Sequence, residues 1–146
     1  MRHGPINPHV TLEKLAGPAL SAEQIGPIDA VLLSHDQHAD NLDDSGRSFL
    51  GKAKRVLTTI VGAKRLAGHV EGLAPWATTE LRGKEGQSLT ITATPARHGP
   101  AGIEPLAGDV IGFVLTPASG GRPVYISGDT VWYLSLIHIS EPTRPY

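Results

Sequence analysis

The chain has 146 residues, enough for one domain at most, and its 40% hydrophobic and 18% charged content is that of an ordinary soluble globular protein. A formal net charge of −1 removes the electrostatic case for a nucleic acid or an anionic membrane as partner. Cysteine is absent, so disulfides and thiolate–metal sites are excluded, and any metal must be held by His, Asp, Glu or water.

In chain order, residues 1–27 carry Pro5, Pro8, Pro18 and Pro27 and read as an extended loop, with one short helical turn at Thr11 to Leu15. Ser21-Ala-Glu-Gln24 has capping-box spacing, which predicts a turn of helix before Gly26. His3 and His9 fall in this loop and read as exposed and incidental. No apolar signal region follows Met1-Arg-His-Gly-Pro5, so secretion has no support and the cytoplasm is the expected compartment. No apolar run reaches about 18 residues, so no membrane span is expected.

Ala30, Val31, Leu32 and Leu33 form an uncharged apolar run, the pattern of a buried strand. The chain then changes character within one residue. Residues 34–43 bring His35, Asp36, His38 and Asp40 to one point at a strand end. Imidazole and carboxylate together suit zinc, iron or manganese. A solvated polar loop is the competing reading for any one histidine; the density of ligand types directly behind a strand favours metal binding.

Leu42 to Lys54 reads as a helix with Phe49 and Leu50 facing inward, Arg55 to Thr59 as a short strand, and Ile60 to His69 as a helix stopped at Gly68. That alternation argues for an α/β layer. His69 reads as an end-of-helix cation. Gly72 to Trp76 reads as a turn in which Trp76 packs as an anchor. Ser88 to Pro95 alternates apolar and hydroxyl residues, a half-buried strand, and His98 stands just beyond it. Residues 99–108 read as a loop. Asp109 to Thr116 and Pro123 to Ser127 read as strands that form a meander with the preceding one, the last running into Gly128-Asp129-Thr130.

Ser34-His35-Asp36-Gln37-His38-Ala39-Asp40-Asn41 resembles a variant of the His-x-His-x-Asp-His motif of metallo-β-lactamase-fold hydrolases, and Gly128-Asp129-Thr130 resembles that family's metal-bridging turn. The spacing differs from the family's. His35 and His38 are three apart rather than two, and Asn41 stands where the last histidine would be. Two registers stay open: one puts Asp36 in the first histidine's place, the other lets His35 lead with one residue inserted. The resemblance implies an α/β fold, a partial αβ/βα sandwich. It implies His35, His38, Asp40, His98 and Asp129 as metal ligands, with Asp40 and Asp129 also catalytic, Asp129 as the bridge between two ions and Asp40 orienting the water. Asp36 would either ligate or hold a histidine's second nitrogen. Zinc, as one or two ions, is the expected metal, with manganese or iron as alternatives. The substrate would be a small ester, lactone or phosphoester; the Gly-Asp-Thr turn and Leu42-Asp43 lean towards the lactonase-like branch. Activity is expected of the full-length protein and not of this fragment; a non-catalytic α/β binding module, or an inactive fragment of such a hydrolase, is the alternative function. Residues 1–133 are expected to be a fragment of one such domain. Leu134 to Tyr146 resembles translated sequencing adapter, so His138 is not expected to be a ligand.

Overall fold

The computed structural model describes residues 2–7, 10–13, 15–83 and 85–133. The expected tail at 134–146, with His138, and the loop residue His9 lie outside them.

The first segment is a hairpin rather than an extended loop. β1 (Arg2–Asn7) pairs antiparallel with β2 (Val10–Glu13), and the register shifts on either side of Pro5. Thr11 therefore belongs to a strand and not to a helical turn. Proline punctuation marked irregular backbone correctly, but strand pairing is invisible in composition. The capping box forms as its spacing requires. Ser21 N–H donates to Gln24 Oε1 at 2.8 Å, Gln24 N–H donates to Ser21 Oγ at 3.3 Å, and α1 (Ala22–Ile25) follows.

The α/β layer comes next. β3 (Ile28–Leu32), β4 (Ala53–Thr59) and β5 (Val70–Leu73) are parallel in that order, joined through α2 (Asp44–Leu50) and α3 (Ile60–Leu66). α2 is shorter than its pattern suggested. Asp43 caps it, its carboxylate accepting from Gly46 N–H at 2.7 Å, and by Ala53 the chain is already paired with Ile28. Gly72 belongs to β5, not to a turn. A Cβ there would stand 2.7 Å from the Ile60 Cα, so glycine permits close approach of α3 to the strand.

The second sheet is an antiparallel meander, β6 (Thr78–Arg82), β7 (Ser88–Pro95), β8 (Ile111–Pro117) and β9 (Val124–Ile126). β6 was not foreseen: Thr78-Thr79-Glu80-Leu81-Arg82 offers one large apolar side chain, as an edge strand can. A single helical turn, α4 (Glu104–Ala107), interrupts the expected loop before β8. Among the described residues, no helix is long and apolar enough to cross a membrane.

The period of β4 explains the layering. Val56 and Leu57 are both fully buried but point to opposite faces. Val56 packs with Leu33, Leu42, Leu50 and Ala53 under the helices. Leu57 packs with Leu73, Ile91, Ala93, Ile111 and Phe113 between the two sheets. Arg55 staples the sheets at the rim. It grips Glu71 through two bonds of 2.7 Å and donates to the Glu80 carbonyl at 2.7 Å and Thr79 Oγ1 at 2.8 Å. Leu57→Ala is expected to cost about 2–5 kcal/mol, because the gap cannot close without moving both sheets; urea unfolding should show a lower midpoint at unchanged slope.

Candidate metal centre

β3 ends where Leu33 N–H donates to the Leu57 carbonyl at 2.8 Å. Two residues later His35 is fully buried. Its Nδ1 lies 3.0 Å from Ser34 Oγ, which leaves Nε2 facing inward with no hydrogen-bond partner among the described residues. His38, on the same loop, and His98, beyond β7, meet it there. Ring centroids are 5.2 Å apart for His35–His38, 5.2 Å for His35–His98 and 4.9 Å for His38–His98, all edge-on. One ring nitrogen of each lies within 4.8 Å of the other two. Asp129 Oδ2 stands 3.9 Å from both His35 Nε2 and His98 Nε2. Residues 60 or more apart in sequence thus converge.

Buried polar atoms ordinarily find partners. Here His35 Nε2 and His98 Nδ1 have none among the described residues. Burial, the largest cause, holds the His35 imidazole below the usual histidine range, against the opposing charge of Asp129. A neutral imidazole keeps its lone pair. Three imidazole rings and one carboxylate form a donor set that fits a divalent metal ion.

The ends of both sheets are pinned together around this point. Ile111, where β8 starts, donates its N–H to the Ser34 carbonyl at 3.1 Å and pairs with Pro95 at the end of β7. Gly128 has φ +63°, and a Cβ there would lie 2.8 Å from Ser34 Cβ and 2.9 Å from the Ile111 carbonyl. Only glycine lets the Asp129 turn come this close. Thr130 then clips the turn to the His98 loop: its Oγ1 accepts from Arg97 N–H at 2.9 Å, and Val131 N–H donates to the Arg97 carbonyl at 2.9 Å. Sequence reasoning passed over Thr130, although the hydroxyl in Gly-Asp-Thr was its signal.

The first loop is held differently. Asp36 is 2% exposed and does not face the histidines. Arg65 of α3 grips its carboxylate through Nε to Oδ2 at 2.9 Å and Nη2 to Oδ1 at 2.5 Å, and Arg47 of α2 donates to its carbonyl at 2.6 Å. The expectation that Asp36 ligates metal or holds a histidine nitrogen is therefore corrected: a guanidinium already takes both oxygens. His35 and His38 form the histidine pair that meets His98, an arrangement that matches the register in which His35 leads. Asn41 donates from Nδ2 to the His35 carbonyl at 2.6 Å, closing the turn instead of joining the cluster. Asp40 is exposed and outside the group of converging ring nitrogens, reaching His35 only through its charge. His69 Nε2 lies 3.2 Å from the Leu50 carbonyl, so it serves the end of α2 rather than of its own helix. Trp76 is 54% exposed, too open for the packing anchor expected of it.

A matched model identifies the family: that of the beta-lactamase superfamily domain covers residues 6–136. The chain belongs to the beta-lactamase superfamily. Its fold is a partial αβ/βα sandwich of that kind. No curated protein matches it. Among solved structures, it is similar to an isothiocyanate hydrolase from Delia radicum gut bacteria, with 28% identity, a TM-score of 0.60 and 87% of this chain covered. It is also similar to a protein of Parabacteroides distasonis ATCC 8503 named as a candidate metal-dependent hydrolase, with 23% identity, a TM-score of 0.56 and 75% covered. The chain spans about half of each, 48% in both cases.

Arg65→Ala would leave the Asp36 carboxylate buried without its cation. A cost of about 2–3 kcal/mol is expected, below the about 3–5 of a fully buried pair because Arg65 is 41% exposed. The Arg65 hydrogen bonds, the largest cause, hold Asp36 below the usual carboxylate range. The unfolded chain therefore binds this proton first as pH falls. The stabilisation is full above the ordinary Asp value and is lost as pH drops through the folded one. Unfolding curves from pH 7 to pH 3 should show this acid loss in the wild type and a shallower one in Arg65→Ala.

Proposed function

We propose that this chain carries the metal centre of a metal-dependent hydrolase acting on a small molecule. The observation that carries the reading is the convergence of His35, His38 and His98, with ring nitrogens within 4.8 Å, beside Asp129 at 3.9 Å from two of them. Zinc is the favoured ion, with manganese or iron as alternatives. When bound, the ion would lower the pKa of water from about 15.7 towards about 7 and polarise the substrate oxygen.

The chain's own residues have distinct parts. His35, buried and neutral, offers Nε2 while Ser34 holds its other nitrogen, the arrangement that fixes a ligating ring. His38 and His98 complete the donor set. Asp129, 55% exposed, supplies negative charge on the solvent side and is the acid placed to bridge a second ion. Asp40 is the second acid of the site. Exposed on the same loop as His38, it is the acid proposed to orient the attacking water as general base.

Ester, lactone and phosphoester substrates all present the electrophile this site needs, and the isothiocyanate named for one structural relative adds a fourth class to test. Neither nucleic acid nor membrane is proposed as partner, given a net charge of −1, and the cytoplasm is the proposed compartment. One observation favours a non-catalytic, single-ion site as second reading: Asn41 spends its amide on the His35 carbonyl.

Metal analysis after zinc loading should give at least one ion per chain, and His98→Ala should lose it. Asp129→Ala should fold, retain one ion more weakly, and lower turnover by at least about tenfold on whichever substrate of an ester, lactone, phosphodiester and isothiocyanate panel proves active. Wild-type zinc content in His98→Ala sinks the metal centre. Full zinc loading with no turnover on any substrate removes catalysis from this chain, whether as a binding module or as an inactive fragment of the hydrolase.

A further inference from the structure

Beside the histidines lies a cleft of about 430 Å³. It opens between the first turn of α3, the end of β5 and the strand ends that carry the centre. Ile60, Val61, Leu73, Ala74, Val110 and Ile111 make its walls largely apolar, and Arg97 and Asp109 add charged groups at the side of the centre. His98 lines it too, so the cleft and the cluster share a side chain. Its volume is in the range of small-ligand pockets, which combine apolar walls with a few placed polar groups.

The cleft is not a gap left by poor packing. Its floor is core: Leu73 is 9% and Ile111 3% exposed. Its outer wall is open: Ile60 and Val61 are 45% and 39% exposed on α3, although large apolar side chains gain from burial. The loop bearing its far wall is tied to the metal-site loop, since Gln37 donates from Nε2 to the Asp109 carbonyl at 3.4 Å. A group bound in the cleft would therefore hold the rest of its molecule against His98 and the other rings.

We propose that this cleft is the substrate's apolar subsite: it takes an aryl or short alkyl substituent of a small molecule whose hydrolysable group lies at the histidines. The proposal rests on the hydrolase reading for the second half of that statement and on the cleft alone for the first. It assigns Val61 and Ala74, on the apolar walls, as residues that set specificity for that substituent.

The probe is 2-phenylethanol, with ethane-1,2-diol as the polar control, titrated into the ¹⁵N-labelled chain with and without zinc. Saturable shifts are expected at Ile60, Val61, Ala74, His98 and Val110 with the aryl alcohol and not with the diol. Val61→Asp places a charge in the outer wall, and Ala74→Trp fills the space. Each should weaken the probe at least tenfold while zinc content stays at the wild-type level. Two variants on different walls guard against one failing to fold. The proposal is overturned by shifts that do not saturate, by shifts centred away from these residues, by unchanged binding in both folded variants, or by sedimentation showing that the cleft is covered by a second copy of the chain. Saturable aryl binding in a chain that takes no zinc would uphold the cleft and sink the hydrolase reading. Zinc uptake without aryl binding would do the reverse.

Discussion

The buried carboxylate of Asp36 constrains the whole site. A charge at 2% exposure is tolerable only with a cation in bidentate contact, and Arg65 supplies it from α3. Arg47 takes the carbonyl of the same residue from α2. The residue between His35 and the rest of the loop is thus fastened to both helices of the α/β layer. A loop so fastened has little freedom to swing, and His35 is fixed by its neighbour rather than by any contact of its own ring with the helices. The acid reads as a ligand in sequence because it sits among ligands. Its actual part is to hold the backbone from which they project.

A second constraint acts from the other sheet. Parallel β3 and antiparallel β7, β8 and β9 end at one edge, and Ile111 is the joint where they meet. The Asp129 turn can approach only because Gly128 has no side chain. The His98 loop stays in place only because the Thr130 hydroxyl and the Val131 amide fill the Arg97 backbone groups. Histidines from two layers therefore meet through backbone joints, not through contacts among themselves. Rings alone would not suffice, since their mutual contacts are edge-on and weak compared with the cost of ordering three loops.

Much of this was legible in the sequence. Period-two and apolar patterns found β3, β4, β7, β8 and β9, and the Ser21 capping box found α1, because each is a local signal. The placement of His35, His38, His98 and Asp129 just past strand ends was also readable, since turn residues follow each. What could not be read depended on pairing or partners. The β1–β2 hairpin and the polar edge strand β6 take their form from neighbours. Gly72 looked like a turn residue until α3 was seen above it. Asp36 and Asn41 looked like ligand positions, and only the distant Arg65 and the nearby His35 carbonyl show how their polar atoms are spent.

The centre is graded from dry to wet, and this gives it a direction. His35 is fully buried, the His98 side chain is 28% exposed, and Asp129 is 55% exposed. Burial keeps the inner imidazole neutral, so positive charge gathered at the rings is countered mainly from the outer side, where Asp129 and Asp40 stand. The solvent-facing side of the cluster is therefore the acidic one, where Asp129 stands. The apolar cleft flanks that side at His98. A carboxylate and an apolar surface therefore border the same ring, since Asp129 Oδ2 lies 3.9 Å from His98 Nε2 and His98 also lines the cleft.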